Sequence, residues 1–329
     1  MSTNDSKALI PQGSGSLSRI KPRRTNPIMQ RMTRDILALL EEQNRLEQAR
    51  FTLGDYEFRK PDYQQILRWA EAWGCSAEEV LERLVEPMFV YYSESQEYSI
   101  RNCFVFKVVE GHIRSLVWDC NQFTAGGWKW HEGLNIETLA FRSTESLSRL
   151  PVTFPASLQA LYCPWIGIKV LNLSSVPNLT ALVCHTNPLT NLDLSPTPNL
   201  KRLLCGNHEL AMLDLSPVPN LTQLACFMNE LTTLDLSPVP NLTELMCADN
   251  ELTTLDLSLV PNLTELMCGG NRLTTLDLFP VPHLTRLWCW NNPLTELDIR
   301  PITKLDWLGI DRTTRLIGTP PPGCEVRYL

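Results

Sequence analysis

The sequence predicts an α/β repeat solenoid: a right-handed superhelix of short stacked coils with a parallel concave β-sheet, short convex strands and turns, and an N-terminal helical cap. Three observations carry this expectation. Cys163, Cys184, Cys205, Cys226, Cys247, Cys268 and Cys289 recur at a constant 21-residue step. Leucines keep the same step before each cysteine (Leu158 and Leu161 in the first unit) and again after it, as in Leu189, Leu210 and Leu231. A proline recurs from Pro177 to Pro282 in the same rhythm. Self-similarity at such a period marks a stacked array, because one unit is too small to bury an apolar face by itself.

The unit reads L-x-x-L-x-C-x-x-N-x-L-x-x-L-D-L-S-x-x-P-x. Alternation in L-x-C points leucine and cysteine inward and the residue between them outward, as a strand requires. Leu-Asp-Leu, as in Leu234-Asp235-Leu236, repeats the alternation on the opposite wall, and the proline then shapes the return turn. The pattern is the leucine-rich-repeat signature with cysteine in the third apolar position. Its 21-residue length and cysteine column resemble the bacterial internalin-type arrays that carry a cysteine ladder, over roughly residues 112–310. The resemblance implies the solenoid fold and says little of function. It does not extend to internalin secretion or wall-anchoring segments.

An asparagine column (Asn121, Asn187, Asn229, Asn250, Asn271 and Asn292) falls where the strand turns away. A buried amide there satisfies backbone groups of adjacent coils. His208 interrupts the column, which predicts a local irregularity. Degenerate units come earlier: Val108 to Ile113 reads as strand, tight turn and strand, and Leu116-Val117-Trp118 and Leu139-Ala140-Phe141 match the inward-outward-inward triplet. That makes about ten strands and an inner sheet of about 43 Å at roughly 4.8 Å per strand. The expected organisation is a disordered head over 1–28, a helical cap domain over 29–100, repeats over 101–310 and a C-terminal cap over 311–329. In the cap, Ile36, Leu37, Leu40 and Leu46 keep helical spacing. Asp62-x-x-Gln65 and Ser76-x-x-Glu79 each read as a capping box, with Ile66, Trp69, Trp73, Val80 and Leu84 on the buried faces. Trp307, Ile310 and the segment from Cys324 to Leu329 are expected to close the core.

Of 329 residues, 43% are hydrophobic and 20% charged, within the range of foldable domains, and the net charge of −7 argues against a general affinity for nucleic acid. No run of about 18 apolar residues exists, so no membrane span is expected. The first residues lack a basic segment followed by an apolar one, and the eleven cysteines include no Cys-x-x-Cys pair. These features predict a cytoplasmic protein with reduced thiols, acting as a monomer.

The outward residue between leucine and cysteine runs Tyr162, Val183, Leu204, Ala225, Met246, Met267, Trp288. Solvent-facing strand positions are normally polar, so an apolar row is informative. Trp165, Phe227, Met228 and Trp290 follow the cysteines, and Arg202, Glu244, Glu265 and Arg286 supply a charged rim. The partner-binding residues expected from this pattern are Tyr162, Trp165, Phe227, Met228, Met246, Met267, Arg286, Trp288 and Trp290. The competing reading is that the same side chains stack along the sheet.

Other constellations read as structural. The inward thiols behave as small hydrophobes, and no histidine completes a metal site beside them. The row Asp193, Asp214, Asp235, Asp256, Asp277 and Asp298 offers too few oxygens per unit for calcium and is expected to bond turn amides. The N-L-T triplets at Asn178, Asn220, Asn241 and Asn262 are turn residues of the repeat. His131-Glu132 lacks a second zinc-binding histidine, no phosphate-binding loop occurs, and no catalytic constellation, metal or cofactor is expected. The basic run Arg19 to Arg24 reads as a solvated linker. The expected function is non-catalytic: a scaffold or recognition protein that holds a protein or peptide on its concave face. The alternative is a bacterial effector that reaches a host protein without a cleaved signal. The serine-rich head, the helical segment and the run Leu150-Pro151-Val152-x-x-Pro155-x-x-Leu158 resemble effectors joining a helical segment to leucine-rich repeats.

Overall fold

A strand of three residues has too few ladder bonds to persist alone, so each repeat must pair with both neighbours. In the computed structural model, which describes residues 50–53, 55–73, 75–85, 107–109, 112–119, 134–142 and 154–329, they do so. The expected disordered head, the helical spacing through Ile36 to Leu46, the basic run, Asn121, His131-Glu132 and Leu150-Pro151-Val152 lie outside the described residues. So do the side chains of Trp73, Leu84 and Trp118.

The regular coils contribute β6 (Ala160–Tyr162), β7 (Ala181–Val183), β8 (Arg202–Leu204), β9 (Gln223–Ala225), β10 (Glu244–Met246), β11 (Glu265–Met267) and β12 (Arg286–Trp288). Each pairs in parallel with the next and without slip, so Leu182 faces Leu203 and Leu245 faces Leu266. The degenerate units supply β4 (His112–Asp119) and β5 (Thr138–Arg142), also parallel, with Ser115 opposite Thr138 and Thr138 opposite Ala160. β3 (Lys107–Val109) runs antiparallel to β4, as the sequence around Gly111 implies. At the other end β14 (Trp307–Ile310) continues the sheet and β16 (Glu325–Tyr328) lies along β14. The sheet has twelve strands among the described residues, and spans about 53 Å at roughly 4.8 Å per strand. It is longer than expected because β3 and β16 add an edge at each end.

Inside, the leucine and cysteine columns are almost wholly buried, as are Leu189, Leu210, Leu231, Leu252 and Leu273. The repeat pattern overlooked a further core column: Val176, Thr197, Val218, Val239, Val260, Val281 and Ile302 are all 0% exposed. They sit in the proline-bearing turn, where Val218 N–H bonds Leu215 O and Leu221 N–H bonds Val218 O. Thr197 takes the valine place by donating its hydroxyl to Leu194 O at 3.0 Å. The opposite wall is mainly turns. Its only assigned strands among the described residues are β13 (Glu296–Asp298) and β15 (Arg315–Ile317), paired with each other.

The polar columns work as ladders. Asn271 Nδ2 donates to Cys247 O at 2.9 Å and Cys268 O at 3.0 Å, while its Oδ1 accepts Leu252 N–H at 3.0 Å. Asn229, Asn250 and Asn292 repeat the arrangement. Thr222, Thr243, Thr264 and Thr285 donate their hydroxyls to the carbonyl of the coil before, at 3.0–3.1 Å. With Asn178 and Asn220 also bonded to the preceding coil, the N-L-T triplets serve the stack.

At His208 the ladder changes. The ring Nδ1 meets the backbone N and O of Asn187, and Leu189 N–H, which an asparagine would have bonded, turns to Asn187 O at 2.8 Å. The irregularity expected there is local, since Glu209 N–H still bonds Leu189 O.

Between residues 50 and 85 the chain forms a hairpin of β1 (Arg50–Leu53) and β2 (Tyr56–Arg59), then α1 (Lys60–Trp73) and α2 (Ala77–Val85). The hairpin was not foreseen. Phe58, Ile66, Val80 and Trp69 are buried between these elements and the first coils. Ser76 and Glu79 form the expected reciprocal cap, at 3.1 and 2.8 Å. Asp62 does not cap: α1 begins two residues earlier, and the buried carboxylate accepts Ile113 N–H at 2.8 Å and meets His112 Nδ1 at 2.9 Å. It ties the helix to β4.

Asn271→Ala should leave the buried Leu252 N–H without a partner and take one of the two amide hydrogen bonds from each of Cys247 O and Cys268 O, which keep Asn250 and Asn292, lowering stability by about 2 kcal/mol. His208→Asn should raise it by about 1 kcal/mol by restoring the ladder. Urea unfolding midpoints of both variants check this; an unchanged Asn271→Ala midpoint would remove the ladder from the account of stability.

Candidate binding surface

Alternation puts two residues of each strand on the concave face, and the unslipped register lines them up across coils. One line runs Ala140, Tyr162, Val183, Leu204, Ala225, Met246, Met267, Trp288, Gly309. The other runs Thr138, Ala160, Ala181, Arg202, Gln223, Glu244, Glu265, Arg286, Trp307. A third row, just past the cysteines, carries His185, Gly206, Phe227, Gly269 and Trp290.

The apolar line largely covers itself. Val183, Leu204, Ala225 and Met267 are only 4–6% exposed, and Val183, Leu204 and Ala225 form a cluster against which Tyr162, Phe227 and Met246 pack. Stacking along the sheet therefore accounts for the small members of the row. Of the expected binding residues, Tyr162, Phe227, Met246, Trp288 and Trp290 are half-buried, Met267 is buried, and Trp165, Met228 and Arg286 are exposed. Tyr162 and Trp288 lie six strands apart, about 29 Å.

The aromatic rings lie down over glycines of the neighbouring coil. A Cβ on Gly206 would come within 2.8 Å of the Phe227 ring, and one on Gly269 within 3.1 Å of the Trp290 ring. Trp288 and Trp307 meet at 4.5 Å between centroids over Gly309, where a Cβ would stand 2.7 Å from Trp307. The Arg327 guanidinium sits 5.7 Å from the Trp307 ring centre. Trp307 was expected to close the core. It belongs instead to the outward line, because Leu308 and Ile310 take the inward positions. The spacing that reveals these platforms is legible after the fact: Gly206 precedes Phe227, and Gly269 precedes Trp290, by one repeat.

At the corner after each strand the backbone is left-handed, with φ near +55° at Trp165, Thr186, Asn207, Met228, Asp249 and Asn291, and +66° at Gly270. Asparagine, aspartate and glycine tolerate this conformation, whereas Trp165, Thr186 and Met228 are strained in it. The turn holds Trp165 and Met228 outward at the rim, 65% and 51% exposed.

Charges on the second line are mostly matched. Gln223 Nε2 donates to Glu244 at 2.8 Å, and Arg286 meets Glu265 at 3.0 Å. Arg202 differs: its Nε is buried without an acceptor, and the side chain has no hydrogen bond or ion pair among the described residues. Burial raises the Tyr162 phenol, and Arg202 opposes that rise.

The remaining titratable columns are structural. The seven ladder cysteines are free and 0% exposed, and burial pushes Cys226 and Cys289 up to about 12. Among the described residues, no group of three or more histidines, cysteines or acidic residues could hold a metal ion. The aspartate row bonds turn amides: Asp193, Asp214, Asp235 and Asp256 each accept the N–H two residues on at 2.9 Å, and hydrogen bonds from that serine hold their carboxyls below the usual range. His185 is lowered to about 4 by burial and by His208 nearby, and burial lowers His208 as well.

A family model described as leucine-rich repeats in two copies matches residues 261–308, where the 21-residue step and the buried cysteine column are most regular. The coils are leucine-rich repeats of the cysteine-ladder type. Among solved structures, the chain is similar to the functional domain of InlJ from Listeria monocytogenes, described as including a cysteine ladder. Identity is 33% over 58% of this chain and 42% of that one, with a TM-score of 0.49. A leucine-rich-repeat protein of Leptospira interrogans matches at 18% identity over 59% of this chain and 64% of that one, with a TM-score of 0.45. The LRIM1/APL1C complex matches at 19% over 62% and 50%, again with a TM-score of 0.45. The chain spans less than two-thirds of the length of each of these structures. No curated protein sequence matches it. Leucine-rich repeats commonly serve protein–protein interaction through an extended concave surface. Among the described residues, no helix is long and apolar enough to cross a membrane.

The seven ladder thiols should resist iodoacetamide in the native protein and react only after unfolding, read peptide by peptide by mass spectrometry. Native labelling at Cys226 or Cys247 would contradict their burial. Stability should also fall with acid in two stages. His185, at about 4 when folded against 6.5 unfolded, contributes fully above pH 6.5 and loses that contribution as the pH falls toward 4. The loss is on the order of 2–3 kcal/mol. The turn aspartates, lowered by folding, then lose theirs below about pH 4. A urea midpoint that stays flat between pH 7 and 4.5 would refute the first stage.

Proposed function

We propose that this chain is a non-catalytic recognition protein that holds a protein partner on the concave face of its leucine-rich repeats. The observation that carries the reading is the set of aromatic platforms: Phe227, Trp290 and the Trp288–Trp307 pair pack against glycine notches and stay half-exposed. Rings held in this way are pre-organised, so binding them costs little further ordering. Tryptophan and tyrosine in such positions are frequent interface anchors. Exposed Met228 at the rim adds adaptable apolar surface, and Arg286 on Glu265 a fixed charge beside Trp288. Ground-state recognition needs no more than this, and the thiols, aspartates and histidines already have structural roles.

The test is site-specific photo-crosslinking in native-host lysate. A benzophenone side chain at Met228 or Trp290 should capture a discrete partner, whereas the same probe at Met212 or Phe279, both exposed away from the strand lines, should not. The Trp288→Ala, Trp290→Ala double variant, once shown to fold, should weaken capture by about 2 kcal/mol or more. Capture at Met212 or Phe279 alone would move the site off the concave face.

A further inference from the structure

Arg202 is the residue on the concave face whose chemistry is incomplete. It projects from β8 on the outward line, between Ala181 and Gln223. Its neighbours further along are satisfied, with Gln223 on Glu244 and Arg286 on Glu265. On the other side Arg114 meets Glu137 at 3.2 Å. The carboxylates nearest along the sheet are thus taken, and exposed Lys201 adds a second positive charge beside Arg202. In a chain of net charge −7 this is a positive spot on an otherwise paired strip. The guanidinium is half-buried, and its Nε, out of reach of solvent, has no acceptor among the described residues. A buried donor without an acceptor costs stability, and a planar fork of N–H groups is matched by two parallel carboxylate oxygens.

We propose that Arg202 is the anchor for an aspartate or glutamate side chain of the partner protein, presented by an extended segment lying across the concave face. The inference rests on the concave-face reading above and adds the chemistry of its occupant. The carboxylate would accept from the terminal Nη groups of Arg202, which have no hydrogen bond or ion pair among the described residues, while the buried Nε stays within the fold, and Lys201 would add long-range attraction. An apolar side chain next to it in the partner would rest against the half-exposed rings of Tyr162 and Phe227, which are packed on the buried cluster of Val183, Leu204 and Ala225. The small side chains Ala160 and Ala181, which precede Arg202 in its line, leave room for the segment's backbone. Charge complementarity points to an acidic segment, because the repulsion a net-negative chain exerts on acidic partners is reversed at this spot.

The experiment is selection of a phage-displayed random peptide library on the wild-type chain, followed by binding of the selected synthetic peptides to variants with unchanged melting temperature. The expected peptides carry an Asp or Glu beside an apolar residue, and bind Arg202→Gln at least about tenfold more weakly. Arg202→Glu should recover binding when the peptide's acidic residue is changed to Lys. Peptides without acidic enrichment, or peptides held equally by Arg202→Gln, overturn the carboxylate inference. If those same peptides are weakened by Phe227→Ala or Trp288→Ala, the concave-face reading stands without it. Peptides indifferent to every concave substitution, or the failure of any peptide to be selected, overturn both. A phosphoserine peptide that binds much more tightly than its Asp or Glu counterpart also overturns it, since the anchor would then be a phosphate site.

Discussion

A chain that leaves the sheet after three residues must turn through the interior, and each peptide group in that corner loses water. Leaving one such group unpaired costs about 1–3 kcal/mol, a penalty that would recur in every coil. The buried asparagine removes it. One amide bonds carbonyls of its own and the preceding coil and accepts an N–H of the preceding coil, so it closes a corner and staples two repeats together. The leucine and valine columns supply the driving force for burial, but the asparagine column makes the tight corner tolerable. The left-handed residue just before it, and the cysteine, small enough to sit inside the bend, follow from that geometry.

Much of this was legible in the sequence because a repeat multiplies every signal. Leucine, cysteine and asparagine stand out as columns when one occurrence alone would mean little, and the parity of L-x-C identifies inward and outward residues. The valine column was missed because it lies in a proline-flanked turn, where neither strand nor helix periodicity applies, and because Thr197 breaks it. The left-handed corner was missed although Asn207, Asp249, Gly270 and Asn291 all suit that conformation. Trp165, Thr186 and Met228 share the position and mask the preference. Asp62 misled in a different way: a carboxylate followed three residues later by glutamine looks like a local cap, and only the fold brings Ile113 and His112 to it.

The candidate surface was half legible. Outwardness follows from alternation, so the row from Tyr162 to Trp288 and the charged line beside it could be named. Accessibility does not follow, because it depends on neighbours 21 residues away and on how large they are. Met267 is covered whereas Met228 is open, and no property of methionine distinguishes them. Pairing is likewise a property of adjacent coils. Arg202 and Arg286 occupy the same column, yet one has a glutamate in the next strand and the other does not.

The interruption at His208 divides the array into unequal lengths. From Cys226 onward every coil repeats the same asparagine corner, and the left-handed place is filled mainly by residues that suit it. Before it lie Thr186 and Trp165, both strained there, and units of unequal length pairing at Ser115–Thr138 and Thr138–Ala160. In a one-dimensional stack each repeat is held only by its neighbours, so local stability need not be uniform along the axis. The C-terminal block is then a run of like neighbours, and the first coils a run of unlike ones. The coil at which the two runs meet is the one that carries Arg202, so the proposed anchor stands where the array changes from one kind of neighbour to the other.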